Sequence, residues 1–388
     1  MIPYSKQHIT DEDRLAVSHV LESDFVTQGP AVVDFEDALK KRFSVEHAVV
    51  CSSGTAALHL SYAGIGVNSK TIGIVPAITF SATANAFRYL GAEVRFCDVD
   101  EKTGLICLDS LESILRSIEY KSSPCRGVIS PVSFAGAVAP LQEIKKLTPV
   151  HGLKIIEDAS HSPGAFVDGD RATVYSASCS YSDAACLSFH PVKHICCGEG
   201  GAVLTNDKTI SDAARKLRSH GIERPYDDSH ESPWFYQQTE LGWNYRLTDF
   251  QAVLGHSQLS RLDIQLEARR KIAETYDCAF AEAPFNESFE VPILSPGHSW
   301  HLYIIRFKLA GIRDRVHKFL KKRGILTQIH YVPLYRHPYY LERYGKQNFP
   351  GAEKFYQSCL SIPMYPSLSL DEQQLVIDSL GLCCKDLL

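Results

Sequence analysis

The chain has 388 residues, 45% of them hydrophobic and 22% charged, which excludes intrinsic disorder and a fibrous role and leaves room for a large domain and a smaller one. Its 40 Lys and Arg against 45 Asp and Glu give a formal charge of −5, so no polybasic field exists to recruit nucleic acid or an anionic membrane, and a small-molecule role is favoured. The 12 cysteines form no CxxC pair and no zinc-type spacing, so no metal site is expected and the thiols read as reduced; no signal-peptide h-region and no bilayer-length apolar run is seen, and the expected location is the cytoplasm.

Thr10 and Asp13 have the spacing of a capping box, and Leu15, Ala16, Val17, Val20 and Leu21 follow at helical spacing, which predicts an amphipathic N-terminal helix. The Thr27-Gln28-Gly29-Pro30 turn closes it, and Phe35, Leu39 and Phe43 mark one face of a second helix. His47 to Cys51 reads as a buried strand running into Ser52-Ser53-Gly54-Thr55, where another helix opens. Short apolar strands then alternate with helical segments: Ile72 to Val75, Val94 to Phe96, Val128 to Val132, Lys154 to Glu157, Ala185 to Phe189 and Ala202 to Thr205. That rhythm predicts an α/β fold with a mainly parallel central sheet.

Ile222 to Thr239, polar and proline-bearing, is the nearest thing to a flexible loop. Thr248-Asp249 caps a long helical stretch reaching roughly Ala281. A strand (Leu302 to Phe307), a helix (Ile312 to Lys322), a strand (Leu326 to Tyr331) and a final helix from Leu370 to about Leu380 complete a smaller α+β unit. The expected division is 1–248 for the large domain, whose N-terminal helix packs near the small one, and 249–388 for the linking helix and small domain.

Four segments carry candidate chemistry. In Ile155-Ile156-Glu157-Asp158-Ala159-Ser160-His161, two β-branched residues lead into two acids at the carboxyl end of a strand, the edge where parallel sheets hold ligands. In Ala185 to Lys193 a strand emerges into a loop with one lysine, followed by Gly198-Glu199-Gly200-Gly201. A lysine so placed can form a Schiff base, because partial desolvation lowers its pKa and frees the nucleophilic amine. Ser52-Ser53-Gly54-Thr55-Ala56-Ala57 opens a helix with small residues and hydroxyls, which suits a phosphate at the helix N-terminus. Phe80, in Pro76-Ala77-Ile78-Thr79-Phe80-Ser81-Ala82-Thr83, lies just past another strand end. A phosphate cradle, an aromatic platform, an acid and an imine-forming lysine, in chain order, describe a pyridoxal 5'-phosphate site, in which the acid keeps the pyridine nitrogen protonated.

With these motifs in hand, and with Gly242-Trp243-Asn244-Tyr245-Arg246-Leu247 and Gln328-Ile329-His330-Tyr331 beside them, the chain resembles the DegT/DnrJ/EryC1/StrS sugar aminotransferase family of fold-type-I pyridoxal phosphate enzymes over its whole length. The resemblance implies that Lys193 forms the imine, Asp158 pairs with the pyridine nitrogen, His161 approaches the phenolic oxygen and Phe80 stacks on the ring. Gly54, Thr55 and Ser188 would hold the phosphate, and Asn244 would reach the phosphate of a neighbouring subunit, making an obligate homodimer with shared sites. Tyr4, Asp24, Phe25, Val26, Thr27, Gln328, Ile329, His330 and Tyr331 match segments that contact nucleotide-sugars in similar enzymes; Gly54, Ser188 and Asn244 would border the same substrate.

The dehydratase branch of the family replaces the lysine by histidine, so the presence of Lys193 favours transamination. Ser188 to His194 and the opening Ile2-Pro3-Tyr4-Ser5 most resemble the branch acting in pseudaminic acid biosynthesis. The implied reaction moves an amino group from L-glutamate to C4 of a UDP-linked 4-keto-6-deoxy-N-acetylhexosamine. Related readings are a dTDP- or GDP-linked or 3-keto sugar, or a nucleotide-sugar-binding protein without transaminase activity. The Gly-x-Gly-x-x-Gly turn expected of a nicotinamide-binding chain is missing.

Overall fold

Seven strands, β1 (His47–Cys51), β2 (Ile72–Pro76), β3 (Glu93–Cys97), β4 (Gly127–Ile129), β5 (Lys154–Asp158), β6 (Ala184–Ser188) and β7 (Gly201–Thr205), form the central sheet of this computed structural model. The structure describes residues 1–118, 125–169, 172–223, 234–293 and 295–387. The strand order is β1-β7-β6-β5-β4-β2-β3. All neighbours are parallel except β7, which runs antiparallel to both β1 and β6. Because β7 reverses between them, β1 runs with the other five, and six strands bring their carboxyl ends to one edge.

Helices cover both faces, which is why the central strands are apolar throughout: Ala184 to Leu187 and Ala202 to Leu204 are fully buried. On one face, α2 (Pro30–Phe43) buries Phe35, Leu39 and Phe43 as expected, with Phe35 5.2 Å from the ring of Phe189. On the other, α3 (Gly54–Gly64) and α4 (Ser81–Tyr89) meet through the stacked rings of Tyr62 and Phe87, 3.8 Å apart.

The N-terminal helix α1 (Asp11–Leu21) begins where expected, with the Thr10 N–H donating to Asp13 at 2.9 Å, but its apolar stripe is not its docking face. Leu15 and Leu21 are 58% and 61% exposed, and the one buried residue is Asp13, which accepts from Ser257, Gln258 and Arg261. The long helix predicted to Ala281 is two helices, α5 (Asp249–Ser260) and α6 (Leu262–Phe280). They break at Arg261, whose backbone leaves the helical region (φ −106°, ψ 8°) and whose guanidinium closes on Asp13. The predicted cap of α5 is present, as Thr248 and Gln251 bond each other reciprocally.

A second, antiparallel sheet joins β8 (Phe289–Glu290), β9 (Tyr303–Phe307) and β10 (Cys359–Ile362) in that order. The helices Arg313–Lys322 and Leu370–Leu387 add Val316, Leu320, Val376 and Leu380 to its core; the last helix thus runs beyond the expected Leu380. Ile2 joins the same core and pairs with Ile325, tying the N-terminus to the C-terminal part of the chain. The predicted strand Leu326–Tyr331 does not form. Only Gln328 exchanges backbone bonds with Ser361, at 3.1 and 2.8 Å, while Thr327 and His330 bond sideways through their side chains to His317 and Ser361. Two unanticipated helices, Pro338–Tyr344 and Pro350–Ser358, each open on a proline at the first position, where a missing N–H costs nothing.

Of the loop Ile222 to Thr239, residues 224–233 lie outside the described residues, and Ile222–Glu223 pairs with Gln237–Gln238. No disulfide joins any of the 12 cysteines. No helix among the described residues is long and apolar enough to cross a membrane.

Candidate active site

A cavity of about 1040 Å³ opens where the carboxyl ends of the parallel strands meet the C-terminal part of the chain. Tyr4, Gly54, Thr55, Phe80, Asp158, His161, Ser188, Lys193, Gln328, Ile329, His330 and Tyr331 all line it.

Its floor begins where β1 turns into α3. Ser53 is the N-cap, its backbone extended and its hydroxyl accepting from the Ala56 N–H at 3.0 Å. Among the described residues the N–H groups of Gly54 and Thr55 have no partner beside the cavity, a pair of donors suited to an anion. Glycine is required at 54 because a Cβ there would sit 2.8 Å from the Cβ of Ser188. A Cβ at Gly201 would lie 2.4 Å from the Ser53 carbonyl oxygen, so the glycine-rich turn after Lys193 lets β7 pass directly under the cradle.

The two acids of β5 illustrate strand alternation. Glu157 points away from the cavity and is fully buried, accepting from Ser133 (2.6 Å), Ser176 (2.7 Å) and the Ala177 N–H (2.9 Å). Burial nevertheless pushes its carboxyl above the usual range. Asp158, one residue on, faces the cavity and accepts from the Thr83 hydroxyl at 2.7 Å and the Ser160 N–H at 3.2 Å. Beyond β2, Phe80 is 57% exposed, presenting its ring to the cavity 5.9 Å from that of Tyr331.

Lys193 is half-buried in the loop after β6. Enclosure by protein brings its ammonium down to about 7, against the opposing attraction of Asp158. A large share of the side chain is therefore a free amine near neutral pH, the form that attacks a carbonyl. His161 is held well below the usual histidine range, first by burial and then by Lys193, so its imidazole is neutral; its Nε2 lies 3.1 Å from the Tyr331 hydroxyl and its ring 4.3 Å from that of His301. Burial likewise takes His330 down to about 3, with Nδ1 2.8 Å from the Ser361 hydroxyl and its ring 5.5 Å from Tyr4.

Five expected residues do not reach this cavity. Asp24, Phe25, Val26 and Thr27 are exposed on the segment before α2, where the Val26 carbonyl accepts from the Asp249 N–H and Thr27 bridges to Thr248. Asn244 is also exposed. Its neighbours Trp243 and Tyr245 stack at 5.7 Å and close on His59, whereas Asn244 between them stands outward.

Other lining residues had not been singled out. Ser81, Asn85 and Arg88 recur at helical spacing along α4, a periodic signal present in the sequence. Tyr340 reaches the same wall and donates to Asn85 at 2.6 Å. His301, which enters just before β9, has no local signal.

Residues 7–381 match the DegT/DnrJ/EryC1/StrS aminotransferase family. The chain is 36% identical over 382 residues to the UDP-4-amino-4,6-dideoxy-N-acetyl-beta-L-altrosamine transaminase of Campylobacter jejuni subsp. jejuni serotype O:2, a match covering 98% of this chain and 96% of that protein. Among solved structures it is similar to Helicobacter pylori PseC, an aminotransferase involved in the biosynthesis of pseudoaminic acid, with a TM-score of 0.87 and 30% identity over 99% of this chain and 98% of that one. It is also similar to NtdA of Bacillus subtilis with bound cofactor PMP, with a TM-score of 0.84 and 26% identity over 97% and 83% of the two chains. A family match over nearly the whole length, on a sheet that gathers an amine, a carboxylate and a free helix N-terminus at one edge, means that the chain belongs to the DegT/DnrJ/EryC1/StrS aminotransferase family.

Proposed function

We propose that the chain is a pyridoxal-phosphate-dependent transaminase that moves an amino group from L-glutamate to C4 of a UDP-linked 4-keto-6-deoxy-N-acetylhexosamine, yielding 2-oxoglutarate and the 4-amino sugar. The observation that carries this reading is the placement of Lys193, with its ammonium brought down to about 7, in one cavity with Asp158 and the unpartnered N–H groups of Gly54 and Thr55. Those groups fit the cofactor: an aldehyde needs a free amine, a pyridinium nitrogen an acceptor, and a phosphate a cluster of donors. When bound, pyridoxal phosphate supplies an electron sink for the pair left when the Cα–H bond breaks.

The chain's own residues do the rest. Gly54, Thr55 and Ser188 would hold the phosphate, Asp158 would accept the pyridinium N–H, His161 would meet the phenolic oxygen, and Phe80 would stack on the ring. Lys193 removes the proton from Cα of L-glutamate in the first half of the cycle and returns one to C4 of the sugar in the second. Tyr4 and Gln328 to Tyr331 border the space left for the sugar. The name of the Campylobacter jejuni relative supports UDP and C4 amination.

Asn244 and Asp24 to Thr27, exposed on a single chain, are assigned to the site of a second copy, in a homodimer with shared active sites. Residues 1–248 and 249–388 are assigned as the large and small domains, and cysteines without disulfides suit a reducing cytoplasm. The test is a panel of UDP-, dTDP- and GDP-linked 4-keto and 3-keto sugars with L-glutamate, following 2-oxoglutarate and the position of the new amine. Preference for the UDP-linked 4-keto sugar is expected. Preference for another nucleotide or carbon would overturn the substrate assignment, and no amine transfer to any of them would overturn the function.

A further inference from the structure

We propose that Thr83, oriented by Thr79, is a positioning residue that fixes the Asp158 carboxylate in the orientation in which it receives the cofactor's pyridinium N–H. The inference rests on the cofactor reading above. Both threonines are buried, at 0% and 1% exposure. The Thr83 hydroxyl lies 2.7 Å from Oδ2 of Asp158, and the Thr79 hydroxyl lies 2.9 Å from that of Thr83.

Proton counting fixes the direction of this chain. Thr83 donates its single hydroxyl proton to Asp158, so in its contact with Thr79 it must accept. The relay runs Thr79 to Thr83 to Asp158. Its frame is held from behind: the Tyr62 hydroxyl donates to Ser130 at 2.8 Å, and Ser130 donates to the carbonyl of Ile156, two residues before Asp158, at 2.9 Å. The Tyr62 hydroxyl also lies 3.2 Å from the Thr83 carbonyl, a second acceptor for its single proton. On its other oxygen Asp158 accepts the Ser160 N–H. Among the described residues both hydrogen-bonding partners of the carboxylate donate, which leaves lone pairs for one further donor.

The experiment compares pyridoxal phosphate affinity of the apo-protein for wild type, Thr83→Val, Thr83→Ser and Thr79→Val, by equilibrium titration, with thermal unfolding as a check on folding. Valine keeps the shape of threonine and removes only the hydroxyl. Thr83→Val is expected to weaken binding about tenfold or more, Thr83→Ser to stay within about threefold of wild type, and Thr79→Val to fall between. Equal affinity for wild type and Thr83→Val, or a loss in Thr83→Ser as large as in Thr83→Val, overturns the inference. If Thr83→Val does not fold, Thr79→Val decides, since it leaves the donor to Asp158 in place but unoriented; wild-type affinity in that variant is then the contrary result. Failure of the sugar or donor assignment leaves this comparison untouched, whereas wild-type protein that binds no pyridoxal phosphate overturns both.

Discussion

The two walls of the cavity are built by different rules. On the sheet side, Gly54, Phe80 and Lys193 each follow the carboxyl end of a strand and Asp158 ends one, and the sheet's common direction brings them together. On the other side, Gln328 to Tyr331, His301 and Tyr340 sit on irregular backbone or short elements, and four of them are held by a side-chain bond or ring contact from elsewhere in the chain: His330 by Ser361, Tyr331 by His161, Tyr340 by Asn85, His301 by packing on His161. The first wall is a consequence of topology and the second of individual contacts. On the proposed function, chemistry common to many substrates falls to the first and the choice of one sugar to the second.

That contrast can be broken or sharpened by substitution. The largest effect is expected at Lys193: Lys193→Ala removes both the nucleophile and the proton carrier, and turnover should fall by about a thousandfold or more in a coupled 2-oxoglutarate assay. Asp158→Ala should cost about a hundredfold in the L-glutamate half-reaction alone, because the electron sink loses the acceptor that keeps it protonated. A rate loss confined to the sugar half-reaction would place that acid on the wrong wall.

The lysine also sets a pH dependence. With its ammonium down to about 7, the rate at which apo-protein takes up pyridoxal phosphate should rise with pH up to about 7 and then level. Below that value it should fall by about tenfold per pH unit, as the neutral fraction does. A rise continuing toward 10.5, the ordinary lysine value, would mean that the side chain is solvated. Gly54→Ala should weaken cofactor binding by about tenfold, since its Cβ would meet Ser188 at 2.8 Å and push the cradle open. The smallest change is expected across the cavity. Tyr4→Phe should raise KM for the keto sugar a few-fold and leave KM for L-glutamate near wild type, a split that an effect on the sheet-side wall would not produce.

Legibility in the sequence follows the same division. All seven strands of the central sheet were readable from short apolar runs, because burial on both faces leaves little else for those residues to do. With the strands placed, Asp158 and Lys193 stand out, since their positions relative to the strand ends are local facts. Leu326 to Tyr331 misled because its mixture of apolar and β-branched residues has the composition of a strand, whereas its backbone pairs at isolated points, Leu326 with Ile2 and Gln328 with Ser361, and forms no ladder. The N-terminal helix misled in the opposite way: the ion pair between buried Asp13 and half-buried Arg261 decides its docking, and an acid reads as surface. Thr83 was in view but unassigned, because a threonine in a helix acquires meaning only when the fold sets an acid 2.7 Å away. Asn244 and Asp24 to Thr27 are legible only by resemblance, since nothing in one chain engages them with the cavity.

The most direct test of the account is the absorbance of the purified protein with pyridoxal phosphate, before and after L-glutamate is added without any sugar. The account predicts a visible band from the cofactor joined to Lys193, absent in Lys193→Ala, which L-glutamate replaces with the near-ultraviolet band of the aminated cofactor. A visible band that L-glutamate leaves unchanged would contradict the donor assignment, and no band at all would contradict the role of Lys193.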